Sequence, residues 1–544
     1  MRLTELLLEG SKTSVRRLIA MASIAGISNA ALLAVINKAA DLLGEQKSQS
    51  LMVVLFVGFI LTYIYAQRYV LLTTTVDVED LVHRFRERLI RLLSSCELSE
   101  VEHMGRGRLF SAISSDTQTI SQATNALVMG AQSGVLIVCA CVYMATISLT
   151  SLLFSAFFLT LAAQLYLRKM KGVGSILHQS SVAENELHDM VSGLLEGFKE
   201  VKLSSRRATA VLSEVVEVSA RTAERRAAAQ QAMGINFIFA QVAFLLLLGS
   251  LVFLTPMLVP SYSEGVMKSM TAVIFLIGPI SSLVATVPQV AVANAAAENL
   301  YSLEQLLRSH ARKQTGDAEA KSNSTVLPST FKHLQLRQVE FAHGSGEGAF
   351  YVGPIDFQVN AGQTIFITGG NGSGKSTLIK LLTGLYAPKS GELYVNGLPV
   401  TADNAQAFRD CFCAVFSDFY LFKKLYGITP PAHEVLEQWL DEMEISGKTD
   451  VAGNSFTNID LSTGQKKRLA FISAMLEDKP IIILDEWAAD QDPLFRIKFY
   501  DVLLARLKAA GKTVIAVTHD DRFFHVADRR LHMEDGKFRD LSEI

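Results

Sequence analysis

The chain has 544 residues, 49% of them hydrophobic and 19% charged, with a formal net charge of −2 and a mean hydropathy of +0.28. It is too apolar for an ordinary soluble enzyme and too long for one domain, and it carries no global basic field to recruit nucleic acid. A membrane protein with a soluble part is the class that remains. The first fifteen residues, MRLTELLLEGSKTSV, are amphipathic and lack the basic start, short apolar core and cleavage site of a signal peptide, so none is expected. Six apolar stretches follow, near 15–40, 50–73, 124–146, 149–167, 235–257 and 270–293, each close to the about 20 residues that cross a bilayer as a helix. Buried helices of a soluble protein are the competing reading, and the uncharged run FIFAQVAFLLLLGSLVFL argues against it. Thr146 to Ser148 is so short a connection that the third and fourth spans must form a tight hairpin.

The second and third spans, and the fourth and fifth, are separated by long charged segments with helical periodicity. As helical extensions they would reach roughly 35 to 50 Å beyond the membrane at 1.5 Å per residue. They carry Arg84, Arg86, Arg88, Arg91, Arg106 and Arg108, then Arg168, Lys169, Lys171, Lys199, Lys202, Arg206, Arg207, Arg221, Arg225 and Arg226, whereas the opposite loops offer little beyond Lys47 and Lys268. The positive-inside rule therefore places the arms, the N-terminus and everything after residue 293 in the cytoplasm. ARKQTGDAEAKSNSTVLPSTFK, residues 311–332, reads as a polar linker. From 333 to 544, short β-rich runs alternate with helical segments, the pattern of an α/β domain on a largely parallel sheet. Of the five cysteines, Cys139 and Cys141 sit in an apolar run, Cys411 and Cys413 lack a second pair at zinc spacing, and Cys96 stands alone; all read as reduced structural thiols.

TIFITGGNGSGKSTLIKLL is strand, glycine-rich turn and helix. Gly369, Gly370, Asn371, Gly372, Ser373 and Gly374 form a backbone cradle for phosphate oxygens. Lys375 adds a full charge, Ser376 offers a hydroxyl to Mg²⁺, and Thr377 continues the helix whose N-terminus faces the anion. IIILDEW delivers two carboxylates from an apolar strand, Asp485 to complete the Mg²⁺ shell and Glu486 to act as general base. TVIAVTHDD ends in His519; a histidine after a strand is commonly structural, but beside these two motifs it is a candidate contact for the γ-phosphate.

These motifs resemble those of the ATP-binding cassette superfamily, and the resemblance covers the whole chain. It implies an all-α six-helix transmembrane domain at 1–310, a linker at 311–332 and an α/β P-loop ATP-binding cassette domain at 333–544, with ATP and Mg²⁺ as cofactors. LSTGQ at 461–465 matches the signature loop, Ala489 to Asp492 the D-loop and His519 the switch histidine. In that family the signature of one subunit covers ATP held by the other, so Ser462, Gly464 and Gln465 would act in trans and the chain would work as a homodimer. GRGRLFSAISSDTQTI (105–120) and LLEGFKEVKLSSRR (194–207) are similar to the coupling segments of type IV exporters.

The run Trp487 to Pro493 departs from the Pro/Ala-Thr-Ser-Ala-Leu-Asp wording of multidrug exporters. It is similar to the bacterial cyclic-peptide exporter group, whose members move lipopeptides, small peptide antibiotics and peptide siderophore precursors such as that of pyoverdine. Three positions depart from the usual pattern: Ser417 stands for the Q-loop glutamine, which leaves metal and water contacts to Asp418 or solvent; His343 stands for the adenine-stacking aromatic, with Tyr351 in reserve; and Thr463 replaces the first signature glycine, which should crowd the loop.

Polar side chains in the spans, Asn29, Asn37, Asn236, Gln241, Gln289 and Asn294, either line a cargo cavity or bond helix to helix, and the sequence leaves both readings open. Gly278-Pro279 and Pro288 should kink the sixth span. Implied partners are a second copy, membrane lipid and a peptide-type cargo, in a bacterial inner membrane; whether an accessory periplasmic protein takes the product stays open. A lipid or drug flippase and a membrane-anchored regulatory ATPase are the alternatives, and a soluble cassette protein is excluded by the six spans.

Overall fold

The computed structural model describes residues 15–44, 48–254, 270–316, 330–343, 350–429 and 432–540. Residues 1–14, most of the expected linker, Lys47, Lys268 and the end of the fifth expected span lie outside them. The chain divides into two compact units, one of residues 1–91 and 107–306, the other of 92–106 and 307–544.

The first unit is helical. Its elements are α1 (Val15–Gly44), α2 (Ser50–Ser94), whose last turn belongs to the second unit together with α3 (Leu98–Met104), then α4 (Arg106–Ser111), α5 (Thr117–Ile147), α6 (Leu149–Glu196), α7 (Phe198–Leu203), α8 (Ser205–Gly249) and α9 (Ile277–Gly316), which passes into the second unit at Leu307. Six helices among the described residues are long and apolar enough to cross a membrane. In the most apolar window of Ser50–Ser94 only 6% of the residues are buried. Apolar side chains left so open need hydrocarbon as their solvent, which disposes of the buried-soluble-helix reading.

Span and arm are one uninterrupted helix in each case: α6 and α8, of 48 and 45 residues, are each roughly 70 Å long by helix rise. They pair through Thr222, whose hydroxyl donates to the Ala183 carbonyl at 3.0 Å, and through exposed pairs Arg221–Glu186 (3.3 Å), Arg226–Glu184 (3.2 Å) and Arg225–Gln179. Buried Glu304 of α9 takes Arg88 of α2 at 3.3 Å. The sixth span breaks at Leu276 and restarts at Ile277, so Pro279 falls in a first helical turn, where its missing N–H costs little; Pro288 is inside the helix. α9 runs on to Gly316, six residues into the segment expected as linker.

The second unit carries a six-stranded sheet in the order β12-β11-β3-β10-β9-β6 and a four-stranded antiparallel sheet β2-β1-β4-β5. The strands are β1 (His333–His343), β2 (Phe350–Asn360), β3 (Thr364–Gly369), β4 (Ser390–Val395), β5 (Leu398–Pro399), β6 (Phe412–Val415), β7 (Val451–Ala452), β8 (Ser455–Phe456), β9 (Ile481–Asp485), β10 (Thr513–Val517), β11 (Arg529–Glu534) and β12 (Lys537–Asp540). β3, β9 and β10 are buried at every position, the mark of parallel strands covered on both faces. All five cysteines are free, and burial pushes the Cys413 thiol up to about 12, so it is inert at neutral pH.

Close helix packing in the membrane unit rests on small residues. A Cβ at Gly130 of α5 would lie 2.8 Å from Cγ2 of Thr286, whose hydroxyl donates to the Ala126 carbonyl at 3.0 Å. Gly130→Val should therefore force α5 from α9 and lower stability by about 1–3 kcal/mol, read as a fall in the thermal midpoint of the detergent-solubilised protein; an unchanged midpoint would refute the packing.

Candidate nucleotide site

Parallel register sets the site. Val517 pairs with Ile367 of β3 and with Asp485 of β9, and Val415 of β6 pairs with Leu484, so the carboxyl ends of four strands come level. Ligand sites of open α/β sheets form at that edge. The glycine loop leaves β3 there and enters α10 (Lys375–Leu382). Gly369 has φ 147°, and a Cβ on it would meet the Met533 carbonyl at 2.2 Å, so no other residue fits. The Lys375 ammonium is buried and held by the carbonyls of Gly369 (3.0 Å) and Gly370 (2.8 Å). The Ser373 hydroxyl is buried with no protein partner, a donor suited to a phosphate oxygen.

Asp485 is buried, and its Oδ2 accepts from the Ser417 hydroxyl at 2.9 Å. Burial pushes its carboxyl above the ordinary range while the hydrogen bonds from Ser417 pull it back. Ser417, expected to leave its contacts to Asp418 or solvent, is thus bound to the carboxylate itself. With the exposed Ser376 hydroxyl this makes a small set of hard oxygen donors. No cluster of three or more His, Cys, Asp or Glu able to hold a metal exists among the described residues. Such a set fits Mg²⁺, which keeps waters and substrate phosphates for most of its shell.

Glu486 follows with φ 49° in the left-handed region, its Oε1 3.4 Å from Nε2 of His519. The structure thus brings the two together, and the turn needed to do so is the strained one at Glu486. His343 reaches the loop helix, sharing a 3.1 Å hydrogen bond with the Thr377 hydroxyl, and its ring sits edge-on to Phe341 and Tyr386. Burial, with Lys380 beside it, holds His343 below its usual pKa. Phe350 and Val352 approach Gly374; strand alternation turns the exposed Tyr351 to the opposite face, which removes it as the reserve for His343. Phe350 was missed by sequence reasoning, although alternation with Val352 marks it.

The signature begins α11 (Thr463–Leu476). Ser462 is its N-cap, accepting from the Gln465 N–H at 3.4 Å while Oε1 of Gln465 accepts from the Ser462 N–H at 3.3 Å. Thr463 is the first helical residue, outside the left-handed region, so the expected crowding does not arise. Gly464 is the tight position: a Cβ there would sit 2.6 Å from the Asp490 carbonyl, and Gln491 donates to the Gly464 carbonyl at 3.1 Å. Lys467 and Arg468, also missed, are buried; Arg468 binds Gln491 and Asp492, both at 2.7 Å.

The expected coupling stretch 105–120 is preceded by the segment that meets this unit. Leu98 of α3 packs on the core of the cassette, and Glu102 accepts from Tyr386 (2.6 Å) and Lys380 (3.0 Å). Burial pushes the Glu102 carboxyl up, but those two hydrogen bonds outweigh it and hold it below the ordinary range. α7, within 194–207, leaves Leu203 88% exposed.

In the membrane unit, Asn37 donates to the Tyr143 hydroxyl at 3.1 Å and Asn236 lies on Sδ of Met170 at 3.5 Å, so these two bond helix to helix. Gln241 and Gln289 are exposed, Asn29 and Asn294 half-buried. None of the six lines the cavity of about 340 Å³ bounded by Ile137, Phe158, Tyr166, Phe244, Ile280 and Val284, which is almost wholly apolar, but Gln241 lines a smaller one beside it with Phe237, Ile277 and Ser281.

A glycine cradle, an aspartate–glutamate pair and His519 at the edge of one largely parallel sheet, joined to six helices long and apolar enough to cross a membrane, define a membrane-bound P-loop ATPase. The ABC transporter family pattern matches residues 352–489. The ATP-binding protein SyrD of Pseudomonas syringae pv. syringae is 34% identical over 404 residues, 72% of this chain and 71% of that protein. The chain belongs to the ABC transporter family, a multi-pass membrane protein whose ATPase is coupled to transport. An ATP-dependent lipid A-core flippase of Burkholderia orbicola is 32% identical over 234 residues, 40% of this chain and 38% of that protein. The fold is that of a bacterial Atm1-family ABC exporter solved with ATP bound, with a TM-score of 0.75 at 16% identity over 96% of this chain and 94% of that one.

Gly464→Ala is expected to push the Asp490 carbonyl away and cut ATPase turnover by about tenfold or more, about 1.4 kcal/mol, with near-normal folding by circular dichroism. Wild-type turnover would show that this approach is dispensable.

Proposed function

We propose that two copies of this chain export a peptide-type cargo, whether a cyclic peptide, a lipopeptide or a peptide siderophore precursor, across the bacterial inner membrane, using two composite ATP sites. The observation that carries the cargo class is the reach of the similarity to SyrD. At 404 residues it is longer than the whole nucleotide-binding unit and so must take in much of the membrane-crossing half, where cargo is handled. The WAADQDP run supports the same group. The basic arms support a cytoplasmic location for both termini.

In each site the loop from Gly369 to Gly374, with Lys375 and Thr377, would bind the phosphates, and His343 would flank the base. Ser376 and Asp485, the latter held by Ser417, would hold Mg²⁺, which when bound neutralises charge on the phosphate oxygens. Glu486 would take a proton from the attacking water and His519 would orient toward the γ-phosphate. Ser462, Gly464 and Gln465 of the second copy would close the site, so ATP favours the closed pair, and closure works the arms. Hydrolysis resets them.

Glu486→Gln should lower turnover by about a hundredfold or more while ATP binding persists, measured by phosphate release and nucleotide trapping; full residual turnover would remove its assigned role. A lipid exporter of the same fold is the second reading, favoured by the flippase relative. That likeness spans fewer residues than the nucleotide-binding unit holds. In lipid nanodiscs, lipopeptide and siderophore-peptide candidates should stimulate the ATPase more than lipid A-type lipids. Stimulation by the lipids alone would overturn the peptide reading.

A further inference from the structure

We infer that Lys467 is a positioning residue for hydrolysis, holding the backbone of Glu486 in the conformation that aims its carboxylate. The inference rests on the reading of Glu486 as general base. Lys467 lies one turn into α11, its side chain 4% exposed. Its ammonium is 2.6 Å from Oδ2 of Asp490 and donates to the Glu486 carbonyl at 3.0 Å. From the other side, the Glu486 N–H donates to the Val517 carbonyl at 3.1 Å. Both main-chain polar groups of the left-handed residue are therefore fixed, the N–H by β10 and the carbonyl by the signature helix, with the Ala489 N–H as a second and longer donor at 3.3 Å.

A non-glycine residue stays in the left-handed region only where its surroundings over-determine it. Without the lysine, the carbonyl loses its charge-assisted donor, the side that ties Glu486 to the signature helix. Lys467 is itself fixed: Trp487 Nε1 donates to its carbonyl at 3.0 Å, and Trp487 packs among Phe471, Phe495 and Phe499. Asp490 supplies the counter-charge that makes a buried ammonium tolerable. Trp487 and Asp490 belong to the run that departs from the multidrug wording, and the structure shows both converging on this one lysine. α11 thus joins the signature, which acts on one nucleotide, to the glutamate that acts on the other.

The test uses the full-length protein in lipid with Mg-ATP, measuring kcat, KM for ATP and thermal midpoint. Lys467→Met should lower kcat at least tenfold with KM changed less than threefold, and Lys467→Arg, which restores a charged donor, should recover most of the loss. Asp490→Asn, which removes the counter-charge but keeps an oxygen acceptor for the ammonium, should lower kcat several-fold, again at constant KM and with a folded circular-dichroism spectrum; it decides the matter if the methionine variant fails to fold. Wild-type kcat in Lys467→Met or, failing that, in Asp490→Asn overturns the inference, as does a KM that rises in step with the fall in kcat or a loss that arginine does not rescue. Glu486→Gln is run alongside: if it is inactive while Lys467→Met is normal, only the lysine's role falls, and if it is fully active both assignments fall.

Discussion

The side-by-side pairing of β3, β10, β9 and β6 governs what this nucleotide site can be. Parallel strands in register end at one edge, so the phosphate loop, the Asp485–Glu486 pair, His519 and Ser417 arrive together from four separate stretches of chain. Their buried residues pack into two different cores, one on each face, so a slip by one position would exchange the side chains that each core receives. The edge is thus set by hydrophobic packing, and the polar residues at it have little freedom to choose their neighbours.

What the sequence made legible follows from range. The glycine loop and the strand-end carboxylates are short runs whose function depends on residues next to one another, so their order alone identifies them. The six spans are legible because a bilayer demands an uninterrupted apolar length. Contacts between distant residues were out of reach: Lys467 with Asp490, Glu102 with Tyr386, Phe350 beside Gly374. Thr463 misled because a glycine pair reads as a need for unusual backbone, whereas the first position is an ordinary helix start and only Gly464 is pressed by a carbonyl. Tyr351 misled through composition, since it is aromatic but one residue out of phase with the face that matters.

The membrane unit applies a different solvent to the same rules. With no water to compete, an amide buried between helices must find a partner, as Asn37 does in Tyr143. The cavity beside α6 and α8 needs no such partners, because Tyr166 already donates to the Val284 carbonyl at 2.9 Å and Thr160 bonds within its own helix. It presents hydrocarbon to whatever enters.

The paired arms α6 and α8 have mechanical character. Each is a continuous helix, resistant to compression along its axis through its ladder of hydrogen bonds. Sideways they are joined by buried residues such as Val218, Thr222 and Ala229 and, on the outside, by half-exposed ion pairs each worth about 1 kcal/mol or less. Such a beam conveys thrust lengthwise with its two members held in step by their buried seam, while the outer ion pairs can exchange partners as it twists.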